Sequence, residues 1–219
     1  MATDMCYVHN LFIRGLNSIY LQSPYVKTPN DIADLLFYTR CLLDCIMAHH
    51  DGEEMYVFPD LEELTGDPEI MQVNTDQHEA FHDGIETLLE YTKITDPATG
   101  YSQERFIEII DSFAPALYTH LKEEIDTLLA LDKYPSEPLK AMWAKADKHI
   151  NDVGSFDEMF PLAFGCSDKG FEGGKHKHPP VPYVMKMVVK YWFARKHQGA
   201  WRFCPCDFDG TPKRLYFLP

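Results

Sequence analysis

Four long stretches of this chain carry apolar side chains at helical spacing, and in each of them the apolar stripe includes histidine. The first reads Met5, His9, Phe12, Leu16, Ile19. The second reads Leu35, Thr39, Leu42, Ile46, His49, Glu53. The third carries Met71, His78, His82, Ile85 and Leu89, and the fourth Phe106, Ile110, Phe113, Leu117, His120, Glu124. A single histidine on a core-facing stripe is most often a hydrogen-bonded core residue. Five on four helices, two of them followed by a carboxylate four residues on, would leave many polar groups in an apolar interior. A shared metal centre satisfies them most simply.

The helix boundaries have their own signals. Helix 1 is expected over 4–22, closed by Pro24. Thr28-Pro29-Asn30-Asp31 is a start signal for helix 2, with a capping hydroxyl, proline in the first turn and an acid behind it. That helix is expected to run to about Phe58, where Pro59 disrupts it. Asp67-Pro68-Glu69 predicts the start of helix 3, which reaches about Lys93, and Ser102 predicts the start of helix 4, which reaches about Leu131. Short connections between long helices predict an all-α, up-down-up-down four-helix bundle over residues 1–134. Residues 135–219 are expected to form a helical and irregular extension packed on it. That extension holds a short helix near 137–150, an aromatic run (Phe156, Phe160, Phe164), a glycine-rich loop from Asp168 to His178, and a helix over 181–197. His176-Lys177-His178 in that loop reads as a solvated turn or a lid. Pro115 falls inside helix 4, where it either aims His120 or curves the helix round the core.

Composition narrows the function. The net charge of −14 argues against a nucleic-acid partner. Residues 1–137 hold 7 basic and 26 acidic residues, a net of −19, and residues 138–219 hold 13 and 8, a net of +5. Opposite signs favour docking of the two parts within a screening range of about 8–10 Å. No apolar run is long enough to span a bilayer, and no leader pattern is present, so a cytoplasmic protein is expected. The six cysteines, including Cys204-Pro205-Cys206, are read as structural thiols. No nucleophile motif, phosphate loop or nucleotide fingerprint points to another enzyme class.

The expected ligands are His9, His49, Glu53, His78, His82, His120 and Glu124. His78 and His82 share a helix face at i and i+4, as do His49 with Glu53 and His120 with Glu124. Imidazole with carboxylate and no thiolate suits iron or manganese more than structural zinc. Two carboxylates among five imidazoles suggest two ions bridged by Glu53 and Glu124. Helix 2 offers a second register, His50 with Glu54, but its stripe of Leu36, Arg40, Leu43 and Met47 contains a cation, so His49/Glu53 is preferred. His50 and Glu54 are then expected to orient the ligands or to lie at the surface, and Tyr7, Tyr56 and Tyr118 are candidates for similar support.

His9, His49-x-x-x-Glu53, His78-x-x-x-His82 and His120-x-x-x-Glu124 together resemble the hemerythrin family in its HHE cation-binding form. Glu53-Glu54 followed by Phe58-Pro59 resembles a segment common to HHE domains, and the likeness covers about residues 5–131. Phe171-Glu172-Gly173-Gly174 and Tyr191-Trp192-Phe193-Ala194-Arg195 look like the tail of fungal hemerythrin-like proteins. Oxygen-carrying hemerythrins place an aspartate five residues after the last histidine, whereas Glu124 follows His120 by four. The resemblance implies a non-haem di-iron centre, oxo- or hydroxo-bridged. Five imidazoles, two bridging carboxylates and a bridging oxygen leave one position of two six-coordinate irons for dioxygen or peroxide. It implies an oxygen-binding or oxygen-activating protein. A di-iron oxidase or oxygenase acting on a small organic substrate and an iron or oxygen sensor are the alternatives.

Overall fold

The computed structural model describes residues 1–219, apart from the side chains of Asn151 and Val153. Among the described residues there is no strand, only an isolated bridge between Cys206 and Pro212. Four long helices make the central body: α1 (Ala2–Gln22), α2 (Pro29–Gly52), α4 (Gln72–Ile94) and α5 (Gln103–Leu129). Thr28 and Ser102 cap α2 and α5 as their side chains suggest, accepting from the backbone N–H of Asp31 and of Arg105, each at 3.2 Å. At Asp67-Pro68-Glu69 the expected helix start is instead a turn, in which Asp67 Oδ1 accepts from the Glu69 N–H at 3.0 Å. The helix α4 begins five residues after Asp67, at Gln72.

The helix α2 does not break at Pro59. It passes into a π-helical turn, Glu53–Val57, and then into α3, Phe58–Thr65. Proline at the second position of α3 has no N–H to offer the preceding turn, and the N–H of Phe58 bonds to the Glu53 carbonyl five residues back. The helix α5 likewise continues through Pro115 without interruption.

The four helices share one apolar core. Phe12, Leu42, Ile46, Phe81, Ile85, Phe113 and Leu117 are all fully buried in it. Gln77 meets Glu123, Gly84 meets Phe113 and Tyr91 meets Ser102, so α4 and α5 run in opposite directions. Gly84 is required where it stands: a Cβ there would lie 2.5 Å from the Cβ of Phe113. His9 against His49 and Gly15 against Leu42 give the same opposed course for α1 and α2.

Residues beyond 135 form α6 (Ser136–Val153), α7 (Phe156–Cys166), α8 (Tyr183–Val188) and α9 (Ala194–Lys196), the last two joined by a π-helical turn. The helix over 181–197 is therefore present in three helical pieces, and the aromatic run 156–164 is itself helical. These elements rest on α1 and α2. Arg14 donates to the Cys166 carbonyl at 3.1 Å and pairs with Asp168, while Ser18 and Gln22 donate to the Phe203 carbonyl. Arg202 bridges Asp31 at 2.6 Å and Asp34 at 2.8 Å. All six cysteines are free thiols. No helix is long and apolar enough to cross a membrane among the described residues.

Candidate metal centre

Halfway along the bundle core the apolar side chains give way to imidazoles and carboxylates. From α1 comes His9, and from α2 come both His49 and His50, with Glu53 one turn on at the entry to the π-helical turn. His78 stands on α4, and His120 and Glu124 on α5. All seven are buried. Their ligand atoms gather into two groups, His50/Glu53/His78/His120 and His9/His49/Glu53/Glu124, with Glu53 common to both.

Three imidazoles use Nδ1 to point away from the centre. The Nδ1–H of His9 donates to the Leu121 carbonyl at 2.7 Å, that of His78 to Glu54 Oε1 at 2.7 Å, and that of His120 to Gln77 Oε1 at 3.3 Å. With Nδ1 so engaged, the tautomer carries a lone pair on Nε2, and the Nε2 atoms face inward. His78 Nε2 lies 3.2 Å from His120 Nε2, and His9 Nε2 lies 3.4 Å from His49 Nε2. Two lone pairs at that separation repel unless a cation or proton lies between them. Glu53 Oε1 is 3.1 Å from His49 Nε2, and Glu124 Oε2 is 3.2 Å from His9 Nε2, both close contacts. Neither carboxylate nor either ring nitrogen of His50 has a partner with hydrogen-bond geometry. Orphaned buried acceptors that converge on common points fit cations, and the mixed nitrogen and oxygen donors without thiolate fit a metal of the iron type.

Electrostatics agree with this geometry. Burial, followed by the neighbouring imidazoles, holds His49 and His50 well below the ordinary imidazole range. Burial takes His78 down to about 4, and takes His120 down to about 3 although Glu124 opposes it. Burial, then Glu124 and Glu54, drives the Glu53 carboxyl well above its usual range. These four imidazoles are thus held neutral, the form in which they can ligate.

The centre departs from the sequence expectation at two histidines. His82 does not join it: its side chain is 45% exposed and faces Asp83 and Glu86. The buried positions of α4 alternate by four and three, Asn74, His78, Phe81, Ile85, Leu88. Phe81 therefore takes the place proposed for His82, and the close approach at Gly84 holds that face toward α5. His50 does join, because α2 is buried on two adjacent stripes and Leu36 and Leu43 lead to it as Leu42 and Ile46 lead to His49. Arg40 does not spoil that stripe, since its guanidinium turns aside to Glu158 on α7 at 3.4 Å. Glu54 is the outer partner of His78 and not a core ligand, and Gln77 holds His120 in the same manner. The tyrosines lie elsewhere: Tyr7 stacks on His178, Tyr56 meets His149, and Tyr118 is exposed. Apolar alternation by four and three along α4 and along the Leu36 stripe was the available signal for His50 and against His82.

The family model for the hemerythrin HHE cation binding domain matches residues 7–131, the part that holds every one of these residues. The chain belongs to the hemerythrin family. This hemerythrin-family chain is 63% identical over 219 residues to the dimeric xanthone biosynthesis cluster protein R11 of Cryptosporiopsis sp. (strain 8999), a match that covers 100% of this chain and 83% of that protein. No solved structure matches it. The buried His/Glu groups fit a metal site of the kind the HHE domain provides.

Proposed function

We propose that this protein is a non-haem di-iron protein that binds or activates dioxygen or peroxide. The observation that carries the reading is the pair of His/Glu groups joined through Glu53. One ion would be held by His50, His78 and His120, the other by His9, His49 and Glu124, with Glu53 offered to both. Bound iron would supply a redox-active Lewis acid with room for an oxygen ligand. The chain's own part is to gather five imidazoles, four of them held neutral by burial, to fix three of the five through Leu121, Glu54 and Gln77, and to keep bulk water from the core. In this reading residues 1–134 form an up-down-up-down bundle carrying the metal, and residues 135–219 are an extension packed on it.

A second reading, a di-iron oxidase or oxygenase acting on a small organic substrate, is favoured by a cavity that opens on His49 and Glu53. The relative's name places it in a biosynthesis cluster, which is compatible with such work. Metal analysis of protein produced in iron-rich medium, with optical spectra before and after anaerobic reduction and re-exposure to air, tests the main reading. It requires about two irons per chain and a reversible change on oxygen exposure. One ion per chain, or uptake of zinc alone, would refute it.

A further inference from the structure

A cavity of about 350 Å³ lies between the bundle and the extension. Its inner end is formed by His49, Glu53 and Phe12 from the bundle. It therefore borders the His9/His49 half of the metal centre; His50, His78 and His120 do not line it. Its outer wall belongs to the extension, where Trp143 of α6, Met159 of α7 and the Pro179-Pro180 pair present flat or polarisable apolar surface. The volume is at the small end of the roughly 300–1,000 Å³ spanned by small-molecule sites.

The polar groups on the wall define what fits. No lysine or arginine lines the cavity, and Asp4 and Asp147 stand on it together with Glu53. Away from His49 and Glu53, where bound metal would itself be cationic, an anion meets Asp4 and Asp147 and no lysine or arginine, so that part of the cavity disfavours an acid, a phosphate or a coenzyme thioester. Asp4 Oδ2 accepts from the N-terminal ammonium of Met1 at 3.0 Å, and an ionised carboxylate has further acceptor sites and no donor, so the complementary ligand brings hydroxyl donors. His178 adds an imidazole whose Nδ1 lies 3.3 Å from Ser167 Oγ. We infer that the cavity binds an uncharged, hydroxylated aromatic molecule and presents it to the His9/His49 side of the metal centre. This inference rests on the second reading above and names the substrate class of that site.

The test uses the full chain, metal-free and cobalt(II)-loaded, with 2-naphthol as probe, 2-naphthoate as its anionic counterpart and 1-octanol as its non-aromatic counterpart. Calorimetry should show 2-naphthol binding to both protein forms and, in the metal-free form, at least about tenfold tighter than either counterpart. Ala163→Phe, which fills the cavity from α7, should weaken 2-naphthol binding by about tenfold or more while cobalt content stays unchanged. If that variant loses its melting transition, Val8→Phe on the α1 wall replaces it. The visible cobalt bands should shift on adding 2-naphthol. Equal binding of 2-naphthoate or of 1-octanol, unchanged binding in both filled variants, or cobalt bands that do not move would each overturn the inference. Failure of cobalt to load, with 2-naphthol still bound, would instead remove the metal reading and with it the presentation to metal.

Discussion

Glu53→Leu should have opposite effects on the metal-free and the metal-loaded protein. Glu53 is 1% exposed, and neither of its carboxylate oxygens has a hydrogen-bond partner when metal is absent. A buried polar group in that condition costs about 1–3 kcal/mol, and replacing a buried charge by an apolar residue of similar volume often stabilises by a comparable amount. Burial has already raised the carboxyl pKa, so protonation relieves part of the cost and the lower portion, about 1–2 kcal/mol, applies. In a chain of this size each kcal/mol moves the midpoint by about 2–4 °C, so the metal-free variant should melt about 2–8 °C above the metal-free parent. With iron present the order reverses. Glu53 is common to both ligand groups, so its loss forfeits linkage stabilisation of about 4 kcal/mol at a free metal concentration of about 1,000 times Kd. Scanning calorimetry in chelator and in excess iron(II) under argon measures both. A lower midpoint for Glu53→Leu in chelator would refute the reasoning, since it would mean that the carboxylate is satisfied by the protein itself.

The buried His50 and the part-exposed His82 separate cleanly: His50→Ala should lower bound iron by about one ion per chain, while His82→Ala should retain the full complement by metal analysis. The metal-free protein should lose stability as pH falls below about 6.5. His49, His50, His78 and His120 are held neutral in the fold, with His78 near 4 and His120 near 3, and burial lowers His178 and His197 as well, so the unfolded chain takes up their protons first and outweighs the opposing protons on Glu53 and on the less strongly raised Asp44, Asp51, Glu54 and Asp147. Urea midpoints that stay level from pH 7 to 4.5 would count against those burial effects. Truncation after Leu131 removes the partners of Arg14, Ser18 and Gln22 and uncovers the α1 and α2 surface beneath Trp201 and Phe203. Size-exclusion chromatography should then show aggregation, and a soluble truncated chain with unchanged melting would make the extension a separate appendage.

Much of the bundle was legible because its helices repeat a short pattern and declare their caps. The stripes of α1 and α5 led directly to His9, His120 and Glu124, which the structure brings into the metal centre. The errors came from treating each helix as having one inward line. On α2 two neighbouring lines are buried, and the charge on Arg40 misled because a long side chain can leave its own stripe to reach Glu158. On α4, His78 and Ile85 belong to both possible stripes, and only the contact with α5 at Gly84 decides between Phe81 and His82. Glu54 was legible as a group that orients ligands, although not as the partner of His78, and Gln77 was beyond pattern reading, since these contacts join helices far apart in sequence. The π-helical turn was equally hidden, because Pro59 signals a disturbed ladder without saying whether the helix ends or widens.

The adjacency of His49 and His50 has a mechanical consequence. Their Cα atoms are fixed about 3.8 Å apart by one peptide unit, on a helix enclosed on two sides. Each histidine serves a different ligand group, and Glu53 serves both. An ion that settles at one position draws α2 into register for the other, so ordering paid at the first filling is not paid again. Metal uptake should therefore be cooperative, passing from the empty to the doubly filled chain with little of the singly filled form, and sliding α2 along its axis would spoil both positions together.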